Sequence, residues 1–288
     1  GVVDFAYYGS DAAESAVNSD DDTQLEQAYV TYSFDDGTAL TAGRFQSMLG
    51  FEAFEPTGLY QKSFAYSFGI LPSYGEGVKY TYESGDAFFG VALVNSFNGD
   101  PEANNGIGDG RAGRLGGSGD SDYAVEVAGS YVMDDLTLFL GGYYEDFETS
   151  DPTTPDGSTY AINAYATYES GAWLFAGEVN LGNSESGAYV TAGEDDDALS
   201  GLVMANYAYS DVASITGRIS YESFDSSMTG FLNSEINQYK LTLAHGYAFT
   251  DNLFLVTEVS YIDGEIDNGA TNTDYDVIGG AVELIFAF

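Results

Sequence analysis

The chain has 288 residues but no cysteine, only five prolines, one histidine, and seven lysines and arginines together. Without cysteine neither a disulfide framework nor a thiolate metal site is available, so hydrogen bonding and packing must hold the fold. Seven cations against 46 acids leave a formal charge of −39, which repels nucleic acid phosphates and excludes nucleic acid as a partner. No apolar run approaches the roughly 20 residues of a membrane-spanning helix. The lone imidazole, His245, shares an apolar strand face with Leu243 and Tyr247, where it is not placed for Ser-His-Asp chemistry. No GxxxxGK[ST] loop is present to support nucleotide hydrolysis. These absences argue against an enzyme, and no cofactor is implied.

What the chain has in abundance is glycine (36), tyrosine (24) and phenylalanine (19), a composition suited to pleated strands and interfacial aromatic girdles. Segments of about ten strand-forming residues recur along the whole length. Between them short connections such as Asp35-Asp36-Gly37, Ser84-Gly85-Asp86 and Asp134-Asp135 alternate with long acidic ones. The long connections cover 9–23, 46–75, 97–121, 148–157, 183–196, 225–234 and 264–274, and hold acid runs such as Asp20-Asp21-Asp22 and Glu194-Asp195-Asp196-Asp197. Membrane barrels place short turns on the periplasmic side and long loops outside. Counting under that rule predicts 14 strands, near 1–8, 24–34, 38–45, 76–84, 86–96, 122–133, 135–147, 158–169, 171–182, 198–209, 212–224, 236–249, 252–263 and 275–288. A strand-like piece at 63–68 is left over and is assigned to a long connection. The fold predicted is all-β, a transmembrane antiparallel up-and-down β-barrel forming one domain over 1–288.

Within the strands the period is two. Ala213, Ile215, Gly217, Ile219 and Tyr221 share one face, and Ser214, Thr216, Arg218, Ser220 and Glu222 the other. Tyr239, Leu241, Leu243, Tyr247 and Phe249 oppose Lys240, Thr242 and Ala244, and Trp173, Phe175, Val179 and Leu181 oppose Ala176, Glu178 and Asn180. A soluble sandwich also alternates, but aromatic residues at strand ends and small inward residues suit a girdled barrel with a wet interior. In the last strand Ile278, Gly280, Val282, Leu284, Phe286 and Phe288 fall on one face, and the chain ends on an aromatic.

The stretch TAGRFQSMLGFEAFEP from Thr41, the following YQKSFAYSFGILPSYGEGVKYTYESGD and VALVNSFNGDPEANNG, and the opening GVVDFAYYG carry a more specific pattern. A strand ending in Gly-Arg leads to a loop with a Leu-Gly-aromatic-Glu core, a proline-containing approach to a Gly-Val strand, and an Asn-rich loop. This resembles the OmpL-like β-barrel porin family over roughly the first 110 residues. The resemblance implies a bacterial outer-membrane channel for small hydrophilic solutes. It also likens Leu284, Phe286 and Phe288 to the C-terminal assembly signal of such barrels. Outer-membrane lipid and small solutes or cations are the expected partners, and a homo-oligomer is compatible with the family.

Strand parity assigns Arg44, Lys79, Arg218 and Lys240 to the lumen, together with Glu83, Glu178, Glu222 and Glu258, because a charge on the lipid face costs about 2–4 kcal/mol near mid-bilayer. Two readings of these residues stay open: a mixed-charge constriction, with residues 46–62 folded inward to narrow the pore, or ion pairs that only brace the wall. The acid-rich loops suggest cation preference, and flexible carboxylates also suit Ca²⁺, although no D-x-[DN]-x-[DN]-G loop appears. The alternative to a channel is an acidic, all-β surface protein of structural or adhesive kind, with loop-bound Ca²⁺.

Overall fold

A computed structural model of the chain describes residues 1–7, 23–52, 56–67, 70–95, 120–148, 157–187, 190–226 and 234–287. Among the described residues fourteen strands form one antiparallel sheet in which every strand pairs with its sequence neighbour. They are β1 (Val2–Tyr7), β2 (Thr23–Ser33), β3 (Thr38–Gln46), β4 (Tyr74–Ser84), β5 (Ala87–Val94), β6 (Asp120–Met133) and β7 (Leu136–Glu148), followed by β8 (Gly157–Ser170), β9 (Trp173–Gly187), β10 (Val190–Ser210), β11 (Ala213–Ser226), β12 (Ser234–Thr250), β13 (Leu253–Asp267) and β14 (Asn272–Phe286). The order β1 to β14 is that of an up-and-down barrel, with no pairing between β1 and β14 among the described residues. Among the described residues no helix is long and apolar enough to cross a membrane.

The turns predicted as short are short. In the β2–β3 turn the Asp36 carboxylate accepts the Thr38 amide at 3.1 Å and the Thr38 hydroxyl at 2.6 Å, while Gly37 takes φ 87°. These contacts hold the Asp36 carboxyl below its ordinary range. The turn conformation that suits a right-twisted hairpin needs positive φ, which is why glycine sits there. Elsewhere the strands outrun their predicted ends. β9 and β10 run to Gly187 and from Val190, so most of 183–196, read as a loop, is strand; the last long connection likewise shrinks to 268–271. Polar, acidic composition signals water rather than loop, and paired strands that clear the bilayer keep their ladder while changing composition.

The faces separate as the alternation requires. Val282 and Ile278 are 76% exposed on β14, and Val203, Ile219, Leu243 and Val259 are exposed in the same band of β10–β13. The opposite face carries Glu126 at 0% and Arg218 at 2%. Aromatic rings collect at the turn end of the outer face. Trp173 stacks on Phe175 and on Tyr207, and the Tyr209 hydroxyl lies 2.6 Å from Nε2 of His245. Tyrosine and tryptophan, with an apolar body and a polar tip, suit the boundary between lipid and water. Leu284 and Phe286 lie exposed on this outer row as predicted, whereas Phe288 falls outside the described residues. So do the acid runs at 20–22 and 194–195 as far as side chains are concerned.

Candidate functional site

The connection between β3 and β4, in its described residues 47–52, 56–67 and 70–73, folds into the barrel and lies against its inner wall. Its entry and exit are clipped together by the Ser47 amide donating to the Ser73 carbonyl at 2.8 Å. The first leg passes β6 to β9. Glu126 of β6 accepts the Met48 amide and the Ser47 hydroxyl, Asn163 of β8 accepts the Gly50 amide at 3.1 Å, and Glu178 of β9 accepts the Phe51 amide at 2.7 Å. After a 3₁₀ turn at Pro56–Gly58 the second leg meets β11 to β13. Glu258 accepts the amides of Lys62 and Ser63 at 2.8 and 2.9 Å, and Glu222 accepts that of Ser67 at 2.7 Å. In return Lys240 donates to the Phe64 carbonyl at 2.7 Å, Ser220 to that of Ala65 at 2.7 Å, and Thr216 to that of Tyr60 at 3.1 Å.

The chemistry follows from where this loop sits. A segment that joins no strand ladder inside a barrel carries main-chain amides and carbonyls that bulk water cannot satisfy, and each orphan would cost about 1–3 kcal/mol. The wall supplies the missing partners, with ionised side chains making the stronger, charge-assisted bonds. The loop also ties itself. Glu52 pairs with Arg218, accepts the Gln61 side-chain amide and the Ala65 main-chain amide, and so bridges both legs to β11. The Tyr66 hydroxyl donates to Glu178 at 3.0 Å. Burial first, and then the adjacent Glu178 carboxylate, push this phenol far above its ordinary value, which keeps it a donor.

Packing fixes the same seat. Phe45 and Leu49 join Ala92, Ala124, Ala128, Phe139, Tyr143 and Ala161 in a buried cluster, with Met48 and Leu71 against it. Ala65 packs with Ala176, Leu202 and Met204, and Ile70 with Ala198 and Phe224. The small inward residues of the sequence are therefore room for the loop. Gly90 and Gly141 are the sharpest cases. A Cβ on either would lie 2.4 Å from the Met48 sulfur or 2.5 Å from a Leu49 methyl.

Of the residues expected in the lumen, Glu178, Arg218, Glu222, Lys240 and Glu258 are buried inner-wall groups brought together on the loop. Lys79 faces inward, donates to the Gln46 carbonyl at 3.2 Å and sits 4.6 Å from the Phe45 ring centre. Glu83 shares its strand face but lies exposed at the turn end of β4. Arg44 departs from expectation. Thr41 and Phe45 are buried inward on β3, so Arg44 alternates onto the face of exposed Leu40. There it reaches the carbonyls of Leu25 and Glu26, lies 5.6 Å from the Tyr74 ring centre and pairs with Glu76 at 3.6 Å. At the loop end of its strand an outward charge costs only about 0–1 kcal/mol, so the cost that assigned it inward does not apply. Sequence reading missed Glu126, although it shares a face with Ala124 and Ala128 in a predicted strand. It also missed Asn163 and Glu52, the acid of the Leu-Gly-aromatic-Glu core.

A 14-stranded sheet with a greasy outer face and a loop threaded into its polar interior is matched by a family model, described as Putative beta-barrel porin-2, OmpL-like, over residues 2–288. The chain belongs to this family of outer-membrane β-barrel porins. Solved structures agree on the fold. This porin superposes on OmpT of Vibrio cholerae with a TM-score of 0.62 at 15% identity, covering 93% of this chain and 82% of that one. It superposes on an anion-selective porin from Comamonas acidovorans at 0.65 and 12%, covering 92% and 79%, and on OmpF of Salmonella typhi at 0.58 and 12%, covering 95% and 81%. A trimer form of the Vibrio protein matches at 0.60 and 14% identity, covering 92% and 82%. Among curated proteins no sequence match is found.

Proposed function

We propose that this porin is a passive channel for small hydrophilic solutes and ions, that it prefers cations, and that residues 47–73 narrow its lumen. The observation that carries the narrowing is the loop's attachment to β6, β8, β9, β11, β12 and β13 at once, which sets a fixed body across the barrel interior. Cation preference rests on charge. The described inner face presents Glu83, Glu126, Glu145, Glu178, Glu222, Glu258 and Glu283 against Lys79, Arg218 and Lys240. The excess of carboxylates lowers the energy of a cation in the lumen relative to an anion. Selectivity does not follow fold in these barrels, since the Comamonas structure of the same architecture is described as anion-selective.

Purified protein in a planar bilayer under a KCl gradient tests this. Discrete current steps with a reversal potential of cation-preferring sign are expected. Absence of conductance from protein that migrates as a folded barrel would overturn the channel, and an anion-preferring reversal potential would overturn the selectivity. The trimer form of the Vibrio structure supports a homo-oligomer here as well, which mass measurement in detergent checks.

A further inference from the structure

The loop does not cover the inner wall evenly. At mid-barrel the inner-face residues of β6 to β12 are buried beneath it, with Asn163 and Asn180 at 0% exposure and Ser200 and Ser220 at 2%. At comparable levels the inner faces of β2 and β14, and of β13 beyond the buried Val256 and Glu258, stay open to water. Gln27, Ser260, Gly279 and Ala281 are half-buried and Val277 is 49% exposed. Side-chain size does not explain the contrast, since serines occur in both sets. Nor is it an effect of unpaired edges alone, because β2 and β13 each have a strand on either side. What differs is the loop. Its hydrogen bonds to the wall, among the described residues, reach β6, β8, β9 and β11 to β13, and the bond to β13 is at Glu258, below Ser260.

Resting on the channel reading above, we infer that the water-filled passage runs along the β13–β14–β1–β2 sector, and that Glu283 of β14 is its selectivity-determining carboxylate. Glu283 leaves β14 on the inner face with Gly279 and Ala281, is half-buried, and stands opposite Val256 of β13. No loop amide is bonded to it among the described residues. Glu178, Glu222 and Glu258 are different: their charge is already spent on main-chain N–H groups, and the loop's own body separates Glu178 and Glu222 from the open side. An ion in the passage meets the field of Glu283 directly and theirs only through intervening protein. The solute this selects is a small hydrated cation, inorganic or an alkylammonium, passing a wall of amide, hydroxyl and small apolar groups.

The absence of native cysteine makes the test clean. Single variants Gln27→Cys, Ala281→Cys, Ser200→Cys and Ser220→Cys are exposed in detergent micelles to a trimethylammonium-bearing methanethiosulfonate and weighed by mass spectrometry. The same reagent is then added to each variant in a bilayer. Labelling of Gln27→Cys and Ala281→Cys, with a stepwise fall in current, is expected, and Ser200→Cys and Ser220→Cys should stay unlabelled. Rapid labelling of the two serine positions with none at the other two would overturn the passage. Glu283→Gln should lower the ratio of cation to anion permeability while Asp276→Asn, exposed on the outer face of the same strand, leaves it unchanged; the reverse result would overturn the role of Glu283. Heat-modifiable mobility on gels confirms that each variant is a folded barrel. Labelling is read without current, so the expected labelling in a protein that conducts nothing would refute the channel and leave the geometry standing.

Discussion

Two glycines show how much a single hydrogen atom decides in this barrel. Gly141 faces inward, and a side chain there collides with Leu49, whereas Gly217 faces outward and a Cβ would meet nothing within 4 Å. Gly141→Val is therefore expected to lose about 1–3 kcal/mol, the cost of overpacking, and to displace the first leg of the loop. Gly217→Ala should instead gain roughly 0.5–1 kcal/mol, because glycine in a strand interior gives up more backbone freedom. Urea unfolding in lipid vesicles measures both; equal effects would mean that the two faces are not distinguished. Glu178→Ala strips one acceptor from Phe51, Asn163 and Tyr66 together, and leaving such groups unsatisfied costs about 1–3 kcal/mol each. Its open-channel current should be noisier than that of the parent, and an unchanged noise spectrum would argue against the tether. The acids of this site were half legible. Alternation placed Glu178, Glu222 and Glu258 inward, but their partners are main-chain amides 127, 155 and 195 residues away in sequence, and no local pattern encodes such contacts. Arg44 was misread because Gly43, at φ 129°, breaks the run of side chains by which its face would be judged.

At the scale of the strand, parity carries nearly everything. Val282 and Ala281 are consecutive on β14 yet face lipid and lumen respectively. Lysine in place of Val282 should cost about 2–4 kcal/mol near the middle of the bilayer. Ala281→Lys should be tolerated in stability, and the two are compared by the same urea titration. Matching losses would show that the register of the last strand is wrong. This level was the most legible, because the number, order and pairing of strands follow from period-two alternation and turn chemistry. The extracellular ends were not, since β9 and β10 carry acids beyond the bilayer while remaining paired, as Asp196 opposite Ser184 shows. The strand-like piece at 63–68 reads as β because its residues suit an extended chain. Its described part joins no ladder, and its main-chain partners are side chains of the wall and of Glu52 in the same connection instead of a neighbouring strand.

The whole molecule combines an extreme charge with an interior that uses much of it. Buried wall carboxylates serve as acceptors for the loop, while a net charge of −39 also surrounds the channel with a field attractive to cations. Screening separates the two contributions: with a Debye length of about 30 Å at 0.01 M and about 3 Å at 1 M, cation preference should fall as salt is raised. A preference that holds unchanged across that range would place its source in the buried passage alone. Narrowing of the lumen rests most on the loop inside the barrel, and its removal is the most direct test. Single-channel conductance of the intact protein should be compared with that of a variant lacking residues 56–67, whose strands and turns are untouched. A clear rise in conductance with weakened ion selectivity is the predicted result, and a folded variant that conducts no better than the parent would contradict it.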